Sequence, residues 1–330
     1  MAKPRPLLAL LAALLLAACA SPQPPAASNP VPATPAASAP VAAVPATPPL
    51  PAAVIPQTTA LPKLPPRQPR IALALGGGAA KGFAHVGVIR VLEQAGIQPQ
   101  IIAGTSAGSI VGAIYASGIS GEKLYRRALA LNEDELKDFT WSSNGFLKGD
   151  KLQAFVNRQV GRKPIEALPR KFAAVATNFD SGERSVFKSG NTGLAVRASA
   201  AIPNVFQPVS IKGRRYVDGG LVSPVPVLAA RELGADIVIA VDISAKPVQR
   251  KAGLFGNLDQ SLAIMNQAAL ALELKQADVI LRPRVLSLGA ADFDQRRLAI
   301  REGEKVGREA LPVIRRIVAA WTQRAQLASR

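Results

Sequence analysis

Histidine, cysteine, aromatics and acid are what this 330-residue chain has least of. It carries one histidine, His85, and one cysteine, Cys19. A single cysteine excludes an intrachain disulfide and any cysteine-rich zinc site. A single histidine excludes a histidine-cluster metal centre and weakens every mechanism that needs an imidazole base. Metal centres of these two kinds are therefore not expected. No Asp or Glu occurs before Glu93, and 22 acidic residues stand against 40 basic ones, a formal charge of +18. Four of the basic residues precede Arg70, so the rest of the chain carries +14. That balance favours anionic partners, either phospholipid headgroups or nucleic acid. The basic residues are scattered and aromatics reach only 5%, so an anionic membrane surface is expected and nucleic acid is not.

Lys3 and Arg5 precede an apolar run at 7–18 that is too short for a span of ~20 residues. A basic start, a short apolar region and small residues read as a secretory signal. The run ends Leu16-Ala17-Ala18-Cys19, which resembles the lipobox of bacterial lipoproteins. The resemblance implies a signal peptide at 1–18, acylation of Cys19 and, with Ala20 next, sorting to the outer membrane on its periplasmic side. Sixteen of the 28 prolines fall within 20–69, a stretch with no aromatic residue. Such a segment cannot bury enough apolar surface to fold. Residues 19–69 are expected to be a disordered Pro/Ala-rich tether, leaving 70–330 as one folded domain.

The domain opens with Ile71-Ala72-Leu73-Ala74-Leu75, a continuous apolar run suited to a strand buried on both faces. Glycines follow at 76–78, then a helical pattern to residue 96. A second strand at 100–103 leads through Gly104-Thr105-Ser106-Ala107-Gly108 into a helix at 109–116. Two strand–turn–helix units in succession predict a parallel α/β sheet. Hairpins are expected from 172–177 with 186–187, and from 209–211 with 215–217. A helix at 224–233, a buried strand at 236–242 and a C-terminal helix strongest at 301–321 complete the pattern. The stretch 139–148 concentrates aromatics beside lysines; packing over the domain's own core is favoured there over a bilayer contact.

Gly104 to Gly108 fits the G-x-S-x-G pattern, in which a sharp strand-to-helix turn pushes a serine out of the sheet and small neighbours avoid clashes. Its strand–turn–helix context favours Ser106 as a nucleophile over Ser106 as a helix cap. The loop from Gly76 to Gly82 offers consecutive backbone N–H groups at a helix start, suited to a phosphate or an oxyanion. A dinucleotide site fails on Lys81 and Ala79 and on the lack of a ribose-binding acid, and a P-loop fails because no Ser or Thr follows Gly-Lys. The oxyanion reading stands. Lys81 is expected at the solvated start of the helix, with steering of an anionic headgroup as the alternative. His85 sits among apolar residues and reads as structural. Asp218, before Gly219 and Gly220, is flanked by apolar segments and is the better base.

Taken in order with Arg197-Ala198-Ser199-Ala200-Ala201-Ile202-Pro203, these elements resemble the patatin-like phospholipases over roughly residues 71–281. The resemblance implies a three-layer α/β fold, with a central, mostly parallel sheet flanked by helices. It implies a Ser106–Asp218 dyad that needs no histidine, and an oxyanion hole from the amides of Gly77, Gly78 and Ala79, with Ala107 as a further donor. It also implies a lipid acyl hydrolase acting on membrane lipids or other lipid esters, with no metal and no cofactor. Ala79 stands where the family pattern has glycine, so a positive φ there would be strained. An acyltransferase using the same dyad and an inactive tethered binding protein are the alternatives.

Overall fold

A computed structural model describes residues 67–131, 149–244, 260, 264–289 and 291–328. The expected signal peptide, all but the last three residues of the expected tether and the aromatic stretch at 139–148 lie outside the described residues.

The chain enters at Arg67 and forms β1 (Ile71–Leu75), a 3-10 turn (Ala79–Gly82), α1 (Phe83–Gln94), β2 (Ile101–Thr105), α2 (Ala107–Ala116) and α3 (Gly121–Ala130). After the break come α4 (Asp150–Gln159), β3 (Lys171–Asn178), β4 (Arg184–Phe187), α5 (Thr192–Ser199), β5 (Val209–Ile211) and β6 (Arg214–Asp218). Next are α6 (Val227–Glu232), β7 (Ile237–Val241), α7 (Gln267–Leu274), β8 (Val279–Leu281) and the long α8 (Arg296–Ala328). The strands form one sheet in the order β5-β6-β3-β2-β1-β7-β8, with β4 also paired to β3. From β3 to β8 the neighbours are parallel, whereas β4, β5 and β6 join through antiparallel pairs. The sheet is mixed and mostly parallel, with helices on both faces.

Alternation along the strands separates two cores. Leu73, Leu75, Ile102, Ile239 and Val241 face one side, where α1, α2, α3 and α8 pack. Ala72, Ala74, Ala103, Val238 and Ala240 face the other, where α6 and α7 lie. Alanine on that second face lets the short α6 sit close to the sheet. Every residue of β1, β2 and β7 is buried, which is why these segments read as unbroken apolar runs rather than as alternating strands.

Two expectations differ in extent. The helix at 224–233 is shorter in the structure and starts at Val227, because a proline at 226 disfavours the α conformation at Val225 before it. The C-terminal helix is longer, running on both sides of 301–321 and carrying Pro312 inside it. Helices α3, α4, α5 and α7 and strand β8 have no counterpart in the expected elements. Among the described residues, no helix is long and apolar enough to cross a membrane.

Candidate active site

Parallel pairing of β1 with β2 brings their C-terminal ends side by side, so the glycine loop after β1 and the serine after β2 meet at one edge of the sheet. A Cβ on Gly77 would lie 3.2 Å from the Ser106 Cβ, so the bare backbone of the loop rests directly against the elbow. The elbow itself is tightly packed. A Cβ on Gly108 would lie 2.0 Å from the Leu75 carbonyl oxygen.

Ser106 has φ 51° and ψ −122° and makes no capping hydrogen bond to α2. A side chain in that region is strained, and the surroundings must hold it there. They do so through hydrogen bonds at both ends of the residue. Ser106 N–H donates to Ser199 Oγ at 2.9 Å, and Ser199 Oγ donates on to the Val175 carbonyl of β3 at 2.6 Å. The Ser106 carbonyl accepts from Ser109 Oγ at 2.7 Å.

Asp218 arrives from the far side of β3. It pairs with Ala176, one residue beyond the Val175 that pairs with Thr105, so both candidate groups reach the same level of the sheet. Its N–H donates to the Ala201 carbonyl at 2.9 Å, and its carbonyl accepts from Thr177 Oγ1 at 2.8 Å. The Arg197–Pro203 block thus fixes both residues, Ser106 through Ser199 and Asp218 through Ala201. Asp218 Oδ1 accepts the Gly220 N–H at 2.7 Å, while the buried Oδ2 has no hydrogen-bond partner. Burial pushes the carboxyl up to about 6 from its ordinary 3.8, against the opposing pull of the Ser106 hydroxyl and the Gly220 amide. The hydroxyl is near enough to exert that pull, yet no hydrogen bond of ordinary geometry closes between the two side chains. Loose pairing of this kind is common before substrate binds.

The glycine loop departs from expectation in two places. Gly77 N–H, expected among the oxyanion donors, donates to the Pro224 carbonyl at 3.0 Å and is already committed. The amides of Gly78, Ala79 and Ala107 donate to no carbonyl among the described residues. Ala79 holds φ +50°, so the strain foreseen for a non-glycine residue is present. Lys81 is not at a solvated helix start. It lies in the 3-10 turn with only 2% of its surface exposed, because the turn folds it inward before α1 begins, and steering a headgroup from solvent is excluded with it. Gly82 packs against Ala107, where an added Cβ would meet that side chain at 2.8 Å. Gly104 and Gly219 make equally close backbone approaches.

His85 is fully buried, and its Nε2–H donates to the Gly76 carbonyl at 2.8 Å. Burial lowers it to about 4, so it is neutral near pH 7 and anchors the first residue of the glycine loop.

Sequence reasoning missed a second support behind the loop. Thr105 Oγ1 donates to the Ser223 carbonyl at 2.8 Å, next to the Pro224 carbonyl that holds Gly77. The Ser223 hydroxyl donates to the Glu273 carboxylate, whose other oxygen accepts the Leu228 N–H at 2.8 Å. Burial raises the Glu273 carboxyl. Nothing in the local pattern of α7 marks this residue, since its partners lie 45 and 50 positions away.

Ser106 opens on a cavity of about 1000 Å³ with mostly apolar walls. Ala107, Ile110, Val111 and Ile114 of α2 line it, together with side chains from α3 and α4, Phe206 and Phe293. The 107, 110, 111, 114 spacing is a helical stripe starting next to Ser106, and it is the one signal that could have located the cavity from sequence. Among the described residues no cluster of His, Cys, Asp and Glu could hold a metal ion.

A strained serine elbow, an adjoining loop of unclaimed amides and a buried carboxyl at the ends of a mostly parallel sheet define a site of the serine-hydrolase type. Residues 73–231 match the family model of the patatin-like phospholipases. The chain is 38% identical over 182 residues to an NTE family protein of Mycobacterium tuberculosis, covering 53% of this chain and 49% of the relative. It is 32% identical over 203 residues to the lysophospholipase NTE1 of Coccidioides immitis, covering 60% of this chain and 13% of that one. The chain thus spans about half the length of its mycobacterial relatives and much less of the fungal one. Among solved structures it resembles VipD from Legionella pneumophila, with a TM-score of 0.49 and 15% identity over 75% of this chain and 67% of that one.

Proposed function

We propose that this protein is a lipid acyl hydrolase that cleaves carboxylic esters of membrane lipids through an acyl-enzyme on Ser106. One juxtaposition carries the reading: a serine in a strained elbow, beside a buried carboxyl raised to about 6, at the wall of an apolar cavity. Asp218 takes the Oγ proton as Oγ bonds to the ester carbonyl carbon, and the developing oxyanion is received by the amides of Gly78 and Ala79. Each such donor contributes ~2.7–4 kcal/mol to transition-state stabilisation. The C–O bond to the alcohol breaks, and Asp218 returns the proton to the leaving oxygen. Water then attacks the acyl-enzyme while Asp218 accepts its proton; the fatty acid departs and Ser106 recovers its hydrogen.

The acyl chain occupies the cavity along α2. The match to a phospholipase family model, and similarity to relatives that include a lysophospholipase, support phospholipids as the substrate class. Acylation of Cys19 would hold the enzyme at the outer membrane, on the periplasmic side, where such lipids are at hand. The direct test is incubation with a fluorophosphonate followed by mass mapping of the adduct. Label on Ser106, lost in Ser106→Ala, supports the reading; label elsewhere, or none on folded protein, ends it.

A further inference from the structure

The face of α8 turned away from the sheet is a continuous cationic stripe. Ala299, Ile300, Gly303, Gly307 and Ile314 form its buried side, packed so closely on α1 that a Cβ on Gly303 would lie 1.9 Å from the Ala84 carbonyl oxygen. Opposite them, Arg297, Arg301, Lys305, Arg308, Arg315 and Arg316 are all exposed. At 3.6 residues per turn these six fall within a sector of about 100°, and at 1.5 Å per residue they extend over about 28 Å. The helix's acids lie outside that sector. Glu304 is held by Arg90 of α1 at 2.7 Å, Glu302 is half-buried, and Glu309 stands at the sector's edge. Among the described residues only Arg308 of the six has an acidic partner, Glu304 at 3.6 Å.

We infer that this face docks the enzyme on an anionic phospholipid bilayer, a partner more specific than the lipid-ester reading on which it rests. A straight row of cations with no acid between them is complementary to a flat anionic surface. One neighbouring feature favours a membrane over another polyanion. Phe293 and Asp292, immediately before α8, line the apolar cavity, so the stripe starts where the site's own wall ends. No aromatic residue interrupts the stripe to stack on bases.

The test uses the full chain carrying Cys19→Ser, so that acylation cannot dominate. Its binding to phosphatidylcholine vesicles is compared with binding to vesicles containing an equal share of phosphatidylglycerol. The ratio of the two binding constants is the readout, compared between variants that carry the same leader, so that the leader's own contribution cancels. Arg301→Glu/Lys305→Glu/Arg308→Glu is compared with Lys123→Glu/Lys163→Glu/Arg214→Glu, which makes the same charge change at exposed sites elsewhere. A cation near an anionic surface typically contributes about fivefold, so the α8 triple lowers the ratio on the order of 100-fold and the control triple changes it little. Equal losses in both triples, or none in the α8 triple, overturn the inference. Tighter binding to duplex DNA than to anionic vesicles at physiological salt overturns it in favour of nucleic acid. Arg301→Gln and Arg308→Gln, each lowering the ratio several-fold, serve if the triple fails to fold. Fluorophosphonate labelling and hydrolysis of a soluble short-chain ester are followed in parallel. They stay unchanged if only docking is lost, and their absence in the parent chain counts against the hydrolase reading alone.

Discussion

Titrating the enzyme from pH 5 to pH 8 on a soluble ester puts the Asp218 assignment at risk. The base must be ionised to take the Ser106 proton, and burial has moved its pKa from 3.8 to about 6. kcat/KM should therefore be half-maximal near pH 6 and fall about tenfold for each pH unit below it. His85, lowered to about 4 by burial, cannot produce that profile. The same shift affects stability. Below pH 3.8 the carboxyl is protonated in both folded and unfolded chains and contributes no difference. Between 3.8 and about 6 the folded state keeps the proton that the unfolded state releases, so stability falls as pH rises. Above about 6 the loss is complete, about 3 kcal/mol at ~1.4 kcal/mol per pH unit. Asp218→Asn, built on Ser106→Ala to remove turnover, should therefore raise the melting temperature on the order of 5–10 °C at pH 8 and leave it nearly unchanged at pH 4. On the Ser106-containing chain it should abolish hydrolysis. A kcat/KM that stays flat down to pH 5, or an Asp218→Asn enzyme that still turns over, would refute the dyad.

Further substitutions separate the supports of the site. Ser199→Ala removes the acceptor of the Ser106 amide and a donor to Val175; a loss of about 2 kcal/mol in chemical denaturation and a drop in kcat with little change in KM are expected. Ala79→Gly relieves a positive φ and should stabilise by about 0.5–1 kcal/mol with activity kept, whereas a loss of activity would mean the methyl group itself is needed. Ile114→Phe, about 12 Å from Ser106 along α2, should cut kcat/KM for long-chain esters more than tenfold and spare short-chain ones, measured on a chain-length series. Glu273→Gln should lower kcat, because Ser223 and Pro224 brace Thr105 and Gly77, and should leave the labelled residue unchanged on mass mapping.

What could be read in advance was chemistry confined to short stretches of chain. The elbow at 104–108, the glycine loop and Asp218-Gly219-Gly220 each lie on a turn whose geometry constrains its residue types, so the constraint is written locally. Strands β1, β2 and β7 were equally legible, because burial on both faces leaves no polar residue to blur them. The burial of Asp218 followed from its apolar neighbours, and the structure places it at 7% exposure.

The features that escaped are those whose meaning depends on a distant partner. Gly77 carries an amide as suitable for an oxyanion as that of Gly78, and only the Pro224 carbonyl, 147 positions further along, decides that it is taken. Lys81 has the composition of a solvated helix start, yet the 3-10 turn ahead of α1 rotates it inward. Helices α3 and α4 are polar enough on average to read as loops, although Leu124, Ala128, Leu152 and Phe155 form apolar stripes that close the cavity wall. Those stripes are short, and their partners come from α2 and from the segment before α8. The proposed nucleophile and base are therefore marked in the local sequence. The volume that selects a substrate is set by packing between elements, and a change such as Ile114→Phe can alter specificity without touching any motif.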